Sequence, residues 1–263
     1  MSVLLMRLAG PLQSWGSSSR FVRRATEREP TKSGVLGLAA AALGRGRGHG
    51  LADLAALRFA VRIDQIGSPL RDYHTARKEG DTFVSERFYL ADAVFVAALD
   101  DEGKNGALLR QLDAALRHPA FPLFLGRRSC PPTGQVALGV LEGETLDALA
   151  DPGKAPWQAA NWYRKRLRKR MAAAGGVHLE IVRDAAAGEP GAFFRRDAPE
   201  SFCLEYRRYG FRSARAAKNA VHIEHPVLAP SGREAARCIS LADSPTEQDP
   251  FSFPEADDDS VTD

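Results

Sequence analysis

Apolar positions come in short blocks over the first 142 residues, and their spacing predicts the elements. SVLLMRL, residues 2–8, is almost wholly apolar and reads as a largely buried strand. GVLGLAAAALG, residues 34–44, is apolar nearly all round and reads as a buried helix. Thr31 or Ser33 can cap it, and Gly44 stops it. Its internal Gly34 and Gly37 point to close approach of another backbone. LADLAAL gives a short helix, and RFAVRIDQI alternates as a second strand. DAVFVAAL gives a third strand. KNGALLRQLDAALRHP is an amphipathic helix with Leu108, Leu112, Ala115 and Leu116 on one side, and QVALGVLEG supplies a fourth strand.

The order strand, helix, strand, strand, helix, strand is the split βαβ, or ferredoxin-like, order, and the fold class is α+β. RNA-recognition domains share it with many unrelated proteins, so it gives no function by itself. Two segments stand outside this pattern. GPLQSWGSSSRFVRRATEREP reads as a long loop carrying Trp15, Arg20, Arg23, Arg24 and Arg28. Residues 67–90 are charged, rich in turn formers and lack a clear core face, as an extended arm would. After residue 143 the pattern weakens. APWQAANWYRKRLRKRMAAAGG reads as a basic helix over 156–174, with Trp157, Ala160, Leu167 and Met171 at helical spacing. FCLEYRRYGFRS and AVHIEHPVL read as strands. The expected organisation is a palm over 1–142 with its arm at 67–90, a smaller, mainly β part over 143–242, and a disordered acidic tail over 243–263.

Charge sharpens this picture. The net balance is only +3, yet residues 1–90 hold 14 Lys and Arg against 8 Asp and Glu, and residues 154–237 hold 17 against 8. Residues 238–263 hold none against 8. A basic body with an acidic tail points to a polyanionic partner. No run of apolar residues is long enough to cross a membrane, and the N-terminus is too short in apolar length for a signal peptide. Cys130, Cys203 and Cys238 are widely spaced, form no metal pattern, and read as reduced, structural thiols of a cytoplasmic protein.

The candidate chemistry is mostly that of anion contact. TKSG at 31–34 lacks the earlier glycine of a nucleotide-binding phosphate loop, but Lys32 at a helix start either meets a phosphate or is a plain first-turn lysine. HIEH at 222–225 sits in a strand-like context, which puts its two histidines on opposite faces, and no third ligand is evident, so no metal is expected. RDYHT offers Arg71 to a phosphate, Tyr73 to a base and His74 near a 2′-hydroxyl. Contact is favoured over catalysis because no second catalytic group stands at fixed spacing, the alternative being a turn in which Asp72 caps and His74 packs. In the basic helix, Arg164, Lys165, Arg168 and Lys169 are candidate nucleic-acid contacts, against the reading of a solvated basic face. FLGRRSCPPTG at 124–134 is a loop held stiff by glycine and prolines, with Arg127 and Arg128 side by side.

Four stretches taken together, MRLAGPLQSWG at 6–16, PTKSGVLGL at 30–38, LRDYHT at 70–75 and LGRRSCP at 125–131, resemble the CasD family of type I-E CRISPR Cascade subunits, within the RAMP superfamily. The basic helix and the acidic tail have no counterpart in that likeness. The resemblance implies an RNA-recognition-type palm with a projecting thumb at 67–90. It implies a non-catalytic subunit, without cofactor, that caps the crRNA at its 5′ handle for antiviral defence. The thumb would dock on the backbone subunit CasC, with the large subunit CasA and target DNA nearby. The RNA-facing surface would include Trp15, Arg20, Arg23, Arg24, Lys32, Arg127 and Arg128. Related subunits of other systems cut precursor RNA themselves, so a metal-independent endoribonuclease is the alternative.

Overall fold

The computed structural model describes residues 1–17, 23–78, 81–104, 106–186, 188–203, 205 and 207–224. Arg20, His225, Cys238 and the acidic tail lie outside them. The described residues all belong to the unit Met1–Leu228.

Strand β1 (Ser2–Ala9) is buried on both faces, as its nearly continuous apolar run requires. Two short strands follow in the segment read as a loop, β2 (Leu12–Gln13) and β3 (Arg23–Arg24). Helix α1 (Lys32–Ala42) begins where Thr31 accepts a hydrogen bond from the Gly34 N–H. Next come α2 (Ala52–Ala55), β4 (Arg58–Gln65), β5 (Ser68–Lys78), β6 (Asp81–Ala91) and β7 (Val94–Asp100). The amphipathic helix α3 (Ala107–Arg117) buries Leu109, Leu112 and Leu116, and β8 (Ala137–Glu142) follows.

The C-terminal part holds more order than its pattern suggested. It contains α4 (Thr145–Ala150), α5 (Asn161–Ala174), β9 (Gly176–Asp184), β10 (Phe193–Ser201) and β11 (Arg208–Glu224). The sequence predicted neither α4, β9 nor β10, and it split β11 in two. The basic helix starts at Asn161, not 156. Ala160 is extended, and Trp157 lies in the preceding segment, where its indole N–H donates to the Asp64 carbonyl at 2.7 Å.

The large sheet runs β10-β11-β9-β4-β7-β1-β8, and its pairings are antiparallel. Strands β9 to β11 continue the edge of β4, so residues 143–224 extend the same sheet. Successive side chains of β1 serve two cores. Leu4, Met6 and Leu8 pack with α1 and α3, while Val3 and Leu5 pack with α4, Trp157 and α5. An ion pair is enclosed between this sheet and the segment before α5. Arg62 and Asp64 are fully buried and bonded to each other at 2.6 Å, and Arg62 also donates to the carbonyls of Leu149, Ala155 and Pro156. This tethers the segment that leads into α5. Burial raises the Asp64 pKa, against the pull of Arg62.

A second, smaller sheet is built on β6, which pairs with β2, β3 and β5. β5 and β6 pair over their whole length, from Ser68↔Ala91 to Lys78↔Asp81, so the expected arm is a long β-hairpin. No helix among the described residues is long and apolar enough to cross a membrane.

Candidate nucleic-acid interface

The residues that open the chain and those of the 124–134 loop pack against each other, and glycines make this possible. A Cβ on Gly10 would sit 2.7 Å from the Pro131 carbonyl, one on Gly34 would sit 2.8 Å from the Trp15 ring, and one on Gly126 would sit 1.8 Å from the Ser14 carbonyl. Gly126 also has φ +86°, where glycine is favoured. The loop closes on itself through Leu125 N–H to the Cys130 carbonyl at 2.7 Å, and Ser14 N–H donates to the Leu125 carbonyl at 3.1 Å. Cys130 is fully buried, and that burial pushes its thiol pKa up. Arg127 and Arg128 thus ride on a loop fixed to the chain's first turn.

Trp15 is part of this node and not of the surface. It is fully buried, with its indole N–H on the Gln13 side-chain oxygen at 2.9 Å and its ring against Gly34. The expectation that it faces RNA is corrected: burying a large aromatic is worth more to the fold here than exposing it.

Lys32 is corrected too. Its Nζ is bonded to Asp184 at 3.0 Å, and the carboxylate of Asp197, itself fully buried, accepts the Lys32 backbone N–H at 2.8 Å. Arg212 bridges Asp184 and Asp197, each at 2.6 Å. The anion slot at the start of α1 is therefore filled by a carboxylate from β10. No local sequence pattern announces a partner 165 residues away.

The remaining arginines gather at the root of the hairpin. β3 lies parallel to β6, with Arg23 beside Glu86 and Arg24 beside Arg87. Alternation then sorts the side chains onto two faces. On one face Arg23 lies over the Phe88 ring at 5.2 Å, and Arg71, paired with Glu86, lies over Tyr73 at 4.7 Å. Tyr73 is 56% exposed. On the other face stand Arg24, Arg87, Tyr89 and His74. There Arg127 lies over the Tyr89 ring at 4.7 Å and donates to the Arg24 carbonyl at 2.9 Å. Arg128 is exposed beside it. His74 Nε2 is 2.5 Å from Asp72. The Nη1 of Arg127 and the Nε of Arg87 are buried without a hydrogen-bond partner among the described residues. Such donors are costly to leave unpaired and suit an anionic acceptor.

Sequence reasoning therefore found Arg23, Arg24, Arg71, Tyr73, His74, Arg127 and Arg128 on one hairpin and its flank, but divided between its faces. It missed Arg87 and Tyr89. Period-two reading of residues 82–90 would have put both on one face, had that stretch been read as a strand and not as an arm.

In α5, Arg164 donates to the Trp157 carbonyl and lies over its ring at 5.1 Å, so it braces the helix start and leaves the candidate contact set. Lys165, Arg168 and Lys169 are exposed, as are Arg166 and Arg170. Among the described residues, no group of three or more His, Cys, Asp or Glu side chains is placed to hold a metal. His178 and His222 face each other across β9 and β11, with ring centroids 4.6 Å apart.

Comparison with known proteins places this geometry. Residues 3–215 match the family model described as CRISPR-associated protein (Cas_Cas5). The chain is 38% identical over 175 residues to the CRISPR system Cascade subunit CasD of Escherichia coli strain K12, covering 59% of this chain and 75% of that one. A solved structure titled "Crystal structure of Cas protein" is 37% identical with a TM-score of 0.62, covering 85% of this chain and all (100%) of that one. A chain of a "CRISPR RNA-guided surveillance complex" is 29% identical with a TM-score of 0.68, covering 88% and 95%. The chain belongs to the Cas5 family of CRISPR-associated proteins and, within it, to the CasD type.

Proposed function

We propose that this chain is the non-catalytic, cytoplasmic subunit of a type I-E Cascade surveillance complex that binds and caps the 5′ handle of crRNA. The four strands β8-β1-β7-β4 with α1 and α3 then form the ferredoxin-like palm, and the β5–β6 hairpin is the thumb that docks on the backbone subunit CasC beside the large subunit CasA. The observation that carries the reading is the cluster of Arg24, Arg87 and Arg127 about Tyr89, with two buried guanidinium nitrogens lacking partners among the described residues. Planar guanidiniums grip phosphate oxygens bidentately, and aromatic planes take splayed bases. The opposite face, with Arg23 over Phe88 and Arg71 over Tyr73, offers the same chemistry to nucleotides that wrap the hairpin root.

The test uses the exposed members, because Arg127 also braces the loop. Arg24→Glu with Arg128→Glu, in the assembled complex, is expected to reduce crRNA retention after purification by about ten-fold or more at moderate salt. Unchanged retention contradicts the reading. The His74–Asp72 pair favours a second reading, a metal-independent endoribonuclease, since a carboxylate can orient a histidine for proton transfer. Labelled repeat RNA incubated with the purified chain is expected to stay intact. Specific cleavage that disappears in His74→Ala would establish the enzyme instead.

A further inference from the structure

Several arginines elsewhere in the chain are matched to carboxylates: Arg28 with Glu180, Arg45 with Asp53, Arg117 with Asp113, Arg183 and Arg215 with Glu189. Helix α5 concentrates cations with no such match in a single element. Its sequence, NWYRKRLRKRMAAA, contains no acid. Lys165, Arg166, Arg168, Lys169 and Arg170 are exposed and have no ion-pair partner among the described residues. Lys165–Lys169 and Arg166–Arg170 are like-charge pairs one turn apart, which oppose the helix that carries them. A bound anion relieves that repulsion.

The placement of the charges has a second feature. The inward stripe is buried Met171 with half-buried Tyr163 and Leu167, spaced by four and packed on the core with Trp157 and Leu179. Trp162, by contrast, is 49% exposed. Lys165, Arg166, Lys169 and Arg170 stand three, four, seven and eight residues after it, so they share its face. One face of α5 is thus an indole plate followed by four cations. Tyr163 meets the Trp162 ring edge-on at 5.7 Å, which steadies the plate. The helix itself is anchored. Ala160 N–H donates to the Gln65 side chain at 2.9 Å, Arg164 clamps Trp157, and Arg62 holds the carbonyls upstream.

We propose that this face of α5 is a second nucleic-acid site, which takes a single strand: a base stacks on Trp162 and the following phosphates lie along Lys165, Arg166, Lys169 and Arg170. An indole plate selects a single strand because a duplex keeps its base faces stacked inside. The site lies on the side of the large sheet opposite α1 and α3, since α5 packs in the core that Val3 and Leu5 share. It uses none of the hairpin residues, so it stands whether or not those hold the crRNA handle.

The full chain carrying Arg24→Glu, Arg128→Glu, Arg23→Glu and Arg71→Glu, which reverses charge on both faces of the hairpin, is the parent for the test. Fluorescein-labelled single strands of thymidylate and of uridylate, and a duplex of equal length, are titrated by anisotropy. Tight binding of either single strand supports the site and says whether DNA or RNA is its natural occupant. Trp162→Ala is expected to weaken binding about 5- to 150-fold with the salt slope unchanged. Lys165→Ser, Arg166→Ser, Lys169→Ser and Arg170→Ser together are expected to lower the slope of log affinity against log salt by about 3. Without any substitution at α5, intrinsic tryptophan emission should be quenched by the strand, because Trp15 and Trp157 are buried and Trp162 is not. Absence of quenching, duplex binding as tight as single-strand binding, or full affinity in Trp162→Ala would each overturn the proposal.

Discussion

Gly126 shows how a single residue can decide the geometry of the hairpin surface. Its φ of +86° and the 1.8 Å gap that a Cβ would leave to the Ser14 carbonyl mean that no side chain fits. Gly126→Ala is expected to destabilise the fold by more than about 2 kcal/mol, through left-handed strain and displaced backbone, and to lower crRNA retention with it. Thermal unfolding of the purified variant checks the first effect. Arg62 is a second such residue. Arg62→Leu leaves Asp64 buried and unpaired and frees three carbonyls, so a loss of about 3–5 kcal/mol is expected, read as a fall in the denaturant midpoint. The sequence marked Gly126 as a stiff point in a loop. It gave no sign of Arg62, because a charged residue at an alternating position of a strand reads as solvent-facing until its partner is known.

Among the elements, the strands and helices with one clear period were legible. β1, α1, β4, β7, α3 and β8 stand where their apolar spacing put them. The hairpin was recognised only as an arm. Its strands alternate, but both faces carry charges and aromatics, so period two leaves no apolar face to read. β9 and β10 were hidden for a related reason. β10 includes Arg195, Arg196 and Asp197, and the inward-facing carboxylate of Asp197 is offset by Arg212 and by the start of α1. The β9–β10 turn depends on a similar charge cluster. Arg183 first, and then Arg215, hold the Glu189 carboxyl down to about 2 from 4.5. The folded pKa is depressed, so the stabilisation is fully present above pH 4.5 and fades as pH falls towards 2. Acid unfolding of Glu189→Gln is expected to be flatter than that of the parent across this window. An identical slope in both would mean that the cluster contributes nothing.

Across the whole molecule, the four motifs that suggested the family do two different jobs. Much of their content, Gly10, Trp15, Gly34, Gly126 and Cys130, builds the node that locks the first loop, α1 and the 124–134 loop together. Arg127 and Arg128 project from that node, while Arg71, Tyr73 and His74 of the third motif stand on the hairpin. This is why the candidate site was legible in outline and wrong in part: motif position does not separate residues that shape a surface from those that form it. Trp15 and Lys32 belong to the first kind, and Arg71 and Arg128 to the second. Two basic surfaces result, one at the hairpin root on the smaller sheet and one on α5, which covers a face of the large sheet.

The central claim is that the hairpin root holds the crRNA handle. Photo-crosslinking of the assembled complex, with 4-thiouridine placed in turn at each handle nucleotide and the attached peptides identified by mass spectrometry, tests it most directly. Crosslinks are expected on peptides containing Arg23 and Arg24, Arg87 to Tyr89, and Arg127 and Arg128. Handle nucleotides that crosslink only to other subunits, or to segments of this chain remote from those three, would contradict it.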